Sequence, residues 1–306
     1  MLLEAVLTGA VRGGTSILWA TLGETIAERA GVINLGTEGS MLGGALAAYV
    51  VTVQTANPWL GALAGVAAGA ALALIFAVVV LWRGANQIAT GLVITFLSLG
   101  LTSLFGQAYV GRGIEGFTAV KVPMLGSLPF VGPILFDHDP LTYLAFAAGP
   151  AVWWLLHRTR GGLRIRAAGE RAEVLHAFGV SPTRVRYLAV VTGGGLAGLG
   201  GAQLSTALAL NWSENMTVGR GFIAVALVIF AAWNPLKGMA GAYLFGGALA
   251  LELQLQARGA QISPFFLDAV PYLTVIAVLM LLGRRRIHAS PEGLSRVFDT
   301  QTTPGR

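Results

Sequence analysis

The chain of 306 residues has no cysteine, two lysines and only 11% charged residues. Without cysteine there is no disulfide framework, no thiolate nucleophile and no Cys-based zinc site. Neither Lys121 nor Lys237 follows a glycine, so the phosphate-binding lysine of a P-loop is missing. A soluble domain carries roughly 25% charge, and the small charged fraction here leaves too little polar surface for a soluble enzyme. His138, His157, His176 and His288 are too far apart for a metal site, and no nucleophile elbow or carboxylate pair appears, so no catalytic residue and no resident metal is expected. The net charge of +6 sits in loops beside apolar runs, without the stacking aromatics of a nucleic-acid module, so no nucleic-acid partner is expected.

What is present is apolar sequence: 55% of residues are hydrophobic, and 42 glycines follow no three-residue period. That composition excludes disordered and collagen-like chains. A hydrocarbon core about 30 Å thick is crossed by about 20 mostly apolar helical residues. By that measure the runs 5–26, 36–54, 59–82, 87–107, 141–157, 187–206, 220–233, 238–256 and 266–283 are candidate spans. The expected fold is an all-α polytopic membrane protein of about 8–9 transmembrane helices, some broken or re-entrant. Its immediate partner is the lipid bilayer.

Arginine and lysine bias orients the loops. The segment 158–186 carries Arg158, Arg160, Arg164, Arg166, Arg171, Arg184 and Arg186, and the tail opens with Arg284, Arg285 and Arg286, so both are expected in the cytoplasm. The loop 108–140, with Glu115, Asp137, Asp139 and four prolines, is expected outside, and the parity of the spans puts the N-terminus there too. The expected organisation is a transmembrane domain over 1–286 and a cytoplasmic tail over 287–306. Gly61, Gly65 and Gly69 recur every fourth residue and give one helix face on which a second backbone can pack closely; Gly193 to Gly201 form a second such cluster.

Three constellations stand out. In ETIAERAGVINLGTEGSM, residues 24–41, Glu24, Glu28, Arg29, Asn34 and Glu38 lie between two apolar runs. Charge at membrane depth persists where it is paired or lines a cavity. Glu24 and Glu28 share a helix face, with Arg29 placed to pair locally, and Asn34, Gly36 and Gly39 disfavour a continuous helix. Two readings are open: a turn at the pathway or inner gate, or a solvated cytoplasmic turn. In GGLRIRAAGERAEVLHAFGVSPTRVR, residues 161–186, about three helical turns are expected between Gly169 and Gly179, with Val174, Leu175 and Phe178 on one side and Glu170 elsewhere. Such a short amphipathic helix docks in a partner's groove or lies on the membrane surface. In VGRGFIAVALVIFAAWNPLKG, residues 218–238, Arg220 precedes an apolar run too short to cross comfortably, which reads as a broken helix or as a short span ending at an interfacial Trp233.

Four ordered blocks then carry a resemblance: ERAGVINLGTEGSMLGGA at 28–45, ANQIATGLVITFLSLGLTS at 85–103, RAAGERAEVLHAFGV at 166–180 and GRGFIAVALVIFAAWNP at 219–235. The chain resembles the permease subunits of bacterial ABC importers of the ribose and branched-chain amino acid type, and within them the shorter permease of nucleoside or simple-sugar systems. Departures from the family pattern are Ser40 in place of a methionine, Thr95 in place of an asparagine, Ala231 in place of a glycine, and Arg171, Ala172, Val174 and Leu175 in the cytoplasmic block.

The resemblance implies an inner-membrane subunit that forms half of a pathway for a nucleoside or related sugar-containing solute. It also implies three partners: a second, longer permease, a cytoplasmic ATPase that binds the ATP and magnesium, and an extracytoplasmic solute-binding protein. Gly169, Glu170, Val174, Leu175, Phe178 and Gly179 would form the helix that couples to the ATPase. Glu24, Glu28, Asn34, Glu38, Thr95 and Arg220 are the candidate pathway or gate residues. The competing reading is an ion- or proton-coupled carrier using Glu24, Glu28, Glu38 or Glu252 as a relay.

Overall fold

The computed structural model describes residues 2–259, 269, 270, 273 and 291–294. The helices are α1 (Leu2–Arg29), α2 (Thr37–Thr55), α3 (Pro58–Ala77), α4 (Gln87–Gly106), α5 (Val131–Leu135), α6 (Pro140–Arg158), α7 (Arg160–Glu170), α8 (Ala172–Ala177), α9 (Pro182–Gln203), α10 (Arg220–Phe230) and α11 (Pro235–Ala257). Single π-helical turns extend α3 over Val78–Trp82 and α9 over Leu204–Leu208. The fold is mostly helical but not purely so: β1 (Val120–Lys121) pairs antiparallel with β2 (Asp137–His138).

Local sequence sets the helix starts. Asn57, Asp139, Ser181 and Asn234 each accept from a backbone N–H one turn into the helix, and each is followed by a proline at the first helical position. Proline there loses no hydrogen bond, and the cap satisfies a donor the helix cannot.

The expectation of eight to nine crossings is overturned. Among the described residues only three helical stretches are long and apolar enough to cross a membrane, Pro58–Trp82, Gln87–Tyr109 and Pro182–Leu208, and α10 is a shorter apolar helix. The run 266–283 lies outside the described residues except at 269, 270 and 273. Apolar runs of about 20 residues serve two ends, facing lipid or packing inside a protein, and run length alone does not separate them. The last two-thirds of α1 is almost wholly buried and holds Glu24 and Glu28 as well as Leu18 and Leu22. Proline interrupts α6 at Pro150, and α10 has 11 residues, about 16 Å of helix.

α9 is the hub, packed against α1, α2 and α3, while α11 lies along α1. The glycine faces make this possible within one chain. A Cβ on Gly69 would stand 2.3 Å from the Gly194 carbonyl oxygen, and one on Gly44 would stand 2.4 Å from Gly198 Cα. Side chains there would force the helices apart. Between these seams Ile17, Leu18, Leu22, Met41, Leu42, Tyr49 and Phe245 fill the interior. The segment 291–294 returns to the body, where Leu294 is buried with Ile33, Val228 and Trp233.

Candidate functional site

All four sequence blocks meet at the connection between α1 and α2. α1 ends at Arg29 and the chain turns at Gly31, which takes φ +84°, then crosses over in an irregular stretch with a second turn before α2 begins at Thr37. Five short polar contacts tie this crossing and the start of α2 to α1 and α4, and a sixth lies within it. Glu24 accepts from the backbone N–H of Asn34 at 2.8 Å and from the Thr37 hydroxyl at 2.8 Å. The Asn34 side chain accepts from Gly36 N–H at 2.9 Å. From α4, Gln87 accepts from Ile33 N–H at 2.9 Å, while Thr95 donates to the Leu35 carbonyl at 3.1 Å and Ser98 to the Gly39 carbonyl at 2.7 Å.

Glu38 reaches in the other direction, to the start of α10. Its Oε1 accepts from the Thr217 hydroxyl at 2.5 Å and Gly219 N–H at 2.9 Å, and its Oε2 accepts from Gly221 N–H at 2.6 Å. A helix N-terminus presents unsatisfied N–H groups and a partial positive charge, so a carboxylate is the natural occupant. The Gly-Arg-Gly sequence permits the approach: Gly219 has φ +78°, and a Cβ on Gly221 would lie 2.4 Å from Glu38 Cα. Arg220 between them donates to the Met216 carbonyl at 3.2 Å.

At the far end of α10 the backbone turns sharply, with Ala232 and Trp233 both at positive φ. The indole Nε1 of Trp233 donates to Glu28 at 2.5 Å. Arg29 donates to the carbonyls of Trp233 and Ala232 at 3.1 and 3.4 Å. The guanidinium therefore caps the end of α10, which differs from the local pairing with Glu24 or Glu28 expected from sequence. Between them Glu38 and the Glu28–Arg29 pair hold both ends of α10. α10 is a short helix closed by this turn, and Trp233 is a buried strut.

The solvated-turn reading of 24–41 fails, because Glu24, Glu28, Asn34 and Glu38 are each under 5% exposed. Thr95 is equally buried and spends its hydroxyl on Leu35. Gly39, expected in the break, lies inside α2 and packs against Thr95. Glu252 stands apart on α11, where its carboxylate accepts from Gln256 at 3.2 Å.

The arginine-rich segment is not one helix. It breaks at Arg171, giving α7 and the six-residue α8, and stops at Gly179 with φ +73°. Gly169, in the last turn of α7, is in backbone contact with Arg29 and Gly31, and Arg186 clasps the junction by donating to the carbonyls of Ala30 at 3.2 Å and Ala168 at 2.8 Å. Leu175 turns inward at 6% exposure, whereas Val174 at 47% and Phe178 at 81% face out. Glu170 is exposed beside them. A cleft of about 610 Å³ opens here, with Asn86 and Gln87 on one wall and Glu170, Arg171 and Val174 on the other. Sequence reasoning missed Trp233, Thr217, Gly219, Gly221 and Arg186 as partners of the glutamate turn. The Gly-Arg-Gly and Trp-Asn-Pro strings signalled them, but not which carboxylates they would meet.

Residues 6–282 match the family model described as the permease component of a branched-chain amino acid transport system. The chain belongs to this family. The permease is 44% identical over 90% of its length to a Haloferax volcanii ABC transporter permease protein named for glucose, with 90% of that relative covered. It is 33% identical to a guanosine ABC transporter permease protein of Bacillus subtilis, over 88% of this chain and 89% of the relative. A nucleoside ABC transporter permease protein of Lactococcus lactis is 30% identical over 96% and 97% of the two chains. No solved structure matches. The permease is accordingly a non-catalytic, membrane-associated subunit of the ABC-importer type. The family as a whole works with a second permease, an ATPase and a solute-binding protein.

Proposed function

We propose that this permease forms half of the pathway for a neutral, sugar-containing solute, free hexose or nucleoside, and that ATP turnover in a separate subunit drives it through α7 and α8. The observation that carries this reading is the backbone contact of Gly169 with Arg29 and Gly31. A push on the exposed Val174 and Phe178 is delivered through α7 to the crossing held by Glu24 and Asn34. The rigid tie between Glu38 and α10 then passes it to the bundle. Glu24 and Glu38 have their oxygens occupied by fixed donors, which suits a mechanical joint better than a proton relay.

The test is reconstitution with an ATPase, a longer permease and a binding protein from the same source. Uptake of glucose or guanosine should require ATP and survive an uncoupler. Uptake that collapses with the uncoupler and persists without ATP would instead select the secondary carrier.

A further inference from the structure

At the end of α9 remote from the arginine-rich segment lies a second cavity, of about 290 Å³, which the joint around Glu24 does not touch. α9 runs 22 residues, about 33 Å, between the two. Its walls come from four parts of the chain: Arg12 on α1, Phe117 in the loop after α4, Asp139 at the start of α6, and Gln203 with Leu208 and Leu210 from the end of α9. The loop is held there by backbone bonds from Phe117 N–H to the Thr206 carbonyl at 2.8 Å and from Ile114 N–H to the Leu210 carbonyl at 2.9 Å. The π-helical turn of α9 starts immediately after Gln203. Such turns recur at functional sites because they re-aim side chains that a regular helix would hide.

Gln203 is fully buried, and its Oε1 has no hydrogen-bond partner. Its amide nitrogen has one long contact, to the Arg12 carbonyl at 3.5 Å. A buried acceptor left unpaired costs about 1 to 3 kcal/mol, and a donor arriving in the cavity removes that cost. Asp139 uses one oxygen on the Thr142 N–H at 3.0 Å and the other on the Thr142 hydroxyl at 2.6 Å, with lone pairs remaining on both. Arg12 supplies donors, reaching the Asp137 carbonyl at 3.5 Å. Opposite charges among the lining residues favour a neutral guest, since an anion meets Asp139 and a cation meets Arg12. Phe117, buried edge-on against Trp59, and the two leucines add apolar surface.

We infer that this cavity is a subsite for the hydroxyl groups of a neutral sugar ring. A ring hydroxyl donates to Gln203 Oε1, a second donates to Asp139, and a ring oxygen accepts from Arg12. Alternating donors and acceptors beside an apolar face match a polyol and not a purine or an aliphatic side chain. The inference rests on the sugar-containing solute proposed above. It leaves open whether the ring is a free hexose or the ribose of a nucleoside.

The full-length chain in lipid nanodiscs, without ATPase, is titrated with D-glucose and separately with guanosine, and saturation-transfer NMR reads which solute protons contact the protein. Ring protons of at least one probe should be saturated, on the ribose and not the base if guanosine binds. Gln203→Leu should weaken binding roughly tenfold, the loss of one hydrogen bond. Gln203→Met keeps the length of the side chain without an acceptor and should weaken binding to a similar extent. Arg12→Gln, at an exposed position, should also weaken binding and gives a second reading if Gln203→Leu misfolds. Absence of saturation with both probes, saturation of the base alone, or wild-type affinity in both Gln203→Leu and Arg12→Gln overturns the subsite. Because no ATPase is present, such a failure is separate from a failure of ATP-driven uptake, which tests the importer reading.

Discussion

Gly221 donates its backbone N–H to Glu38 at 2.6 Å across 183 residues of sequence, and a glycine is required for it to do so. The ideal Cβ position on Gly221 lies 2.4 Å from Glu38 Cα and 2.5 Å from its N. Gly221→Ala should therefore drive α10 off the Glu38 carboxylate at a cost of about 1 to 3 kcal/mol. Thermal unfolding followed by tryptophan fluorescence reads this as a lowered midpoint. Gly100→Ala, inside α4 where nothing lies within 4 Å, should hold the midpoint or raise it slightly through helix propensity, and equal midpoints for both variants would remove the steric argument.

Trp233→Phe removes the indole donor to Glu28, whose Oε1 is buried without a partner among the described residues. Leaving a buried polar group without its hydrogen bond costs about 1 to 3 kcal/mol. The variant should lose stability in that range while keeping its aromatic packing against Ile33, Val228 and Leu294. Glu28→Leu/Trp233→Phe should recover part of the loss, because an apolar pair leaves no buried polar group unsatisfied. A double-mutant cycle with no coupling between the two positions would show that the contact contributes nothing.

How much of this was legible follows from which signals are local. The helices capped by Ser181 and Asn234 start about five and three residues before the runs expected at 187 and 238, because a cap acts within one turn and a hydropathy run does not register it, whereas Gly65 and Gly69 announced a close-packed face through their four-residue spacing. The glutamate turn was visible as charge between apolar runs, and the short α10 as a run too short to cross. The crossing count was not readable, because Leu18 facing a protein neighbour and Leu63 at 65% exposure look the same in a hydropathy run. The pairing of Glu38 with Gly221 and of Glu28 with Trp233 was hidden for a different reason. Each joins segments about 200 residues apart, and nothing local to either residue encodes the other. Gln203 gave no signal, since an isolated glutamine in an apolar helix gains meaning only from the cavity beside it.

On α8, neighbouring apolar side chains should behave in opposite ways. Phe178 is 81% exposed and Leu175 is 6% exposed. Phe178→Asp should leave the unfolding midpoint of the isolated permease within about 0.5 kcal/mol of wild type and should abolish its association with the ATPase in a pull-down. Leu175→Asp buries an unpaired charge and should lower the midpoint by itself. A Phe178→Asp permease that still assembles and still imports solute would remove α8 from the docking role.

The loop carrying β2 should make stability depend on pH through His138. The ring is fully buried, its Nε2–H donates to the Ile134 carbonyl at 2.7 Å, and Nδ1 has no partner. Burial lowers the pKa below its ordinary value of 6.5, and a second proton would place an N–H on Nδ1 with nothing to accept it. Below 6.5 the unfolded chain takes up that proton while the folded chain resists it, so stability is complete above 6.5 and falls as pH drops beneath it. Melting curves between pH 7.5 and about pH 5 should show a declining midpoint. His138→Gln keeps a donor for Ile134 and cannot titrate, so its curve should be flatter across the same interval; wild-type and variant curves of equal slope would assign the acid sensitivity to other groups.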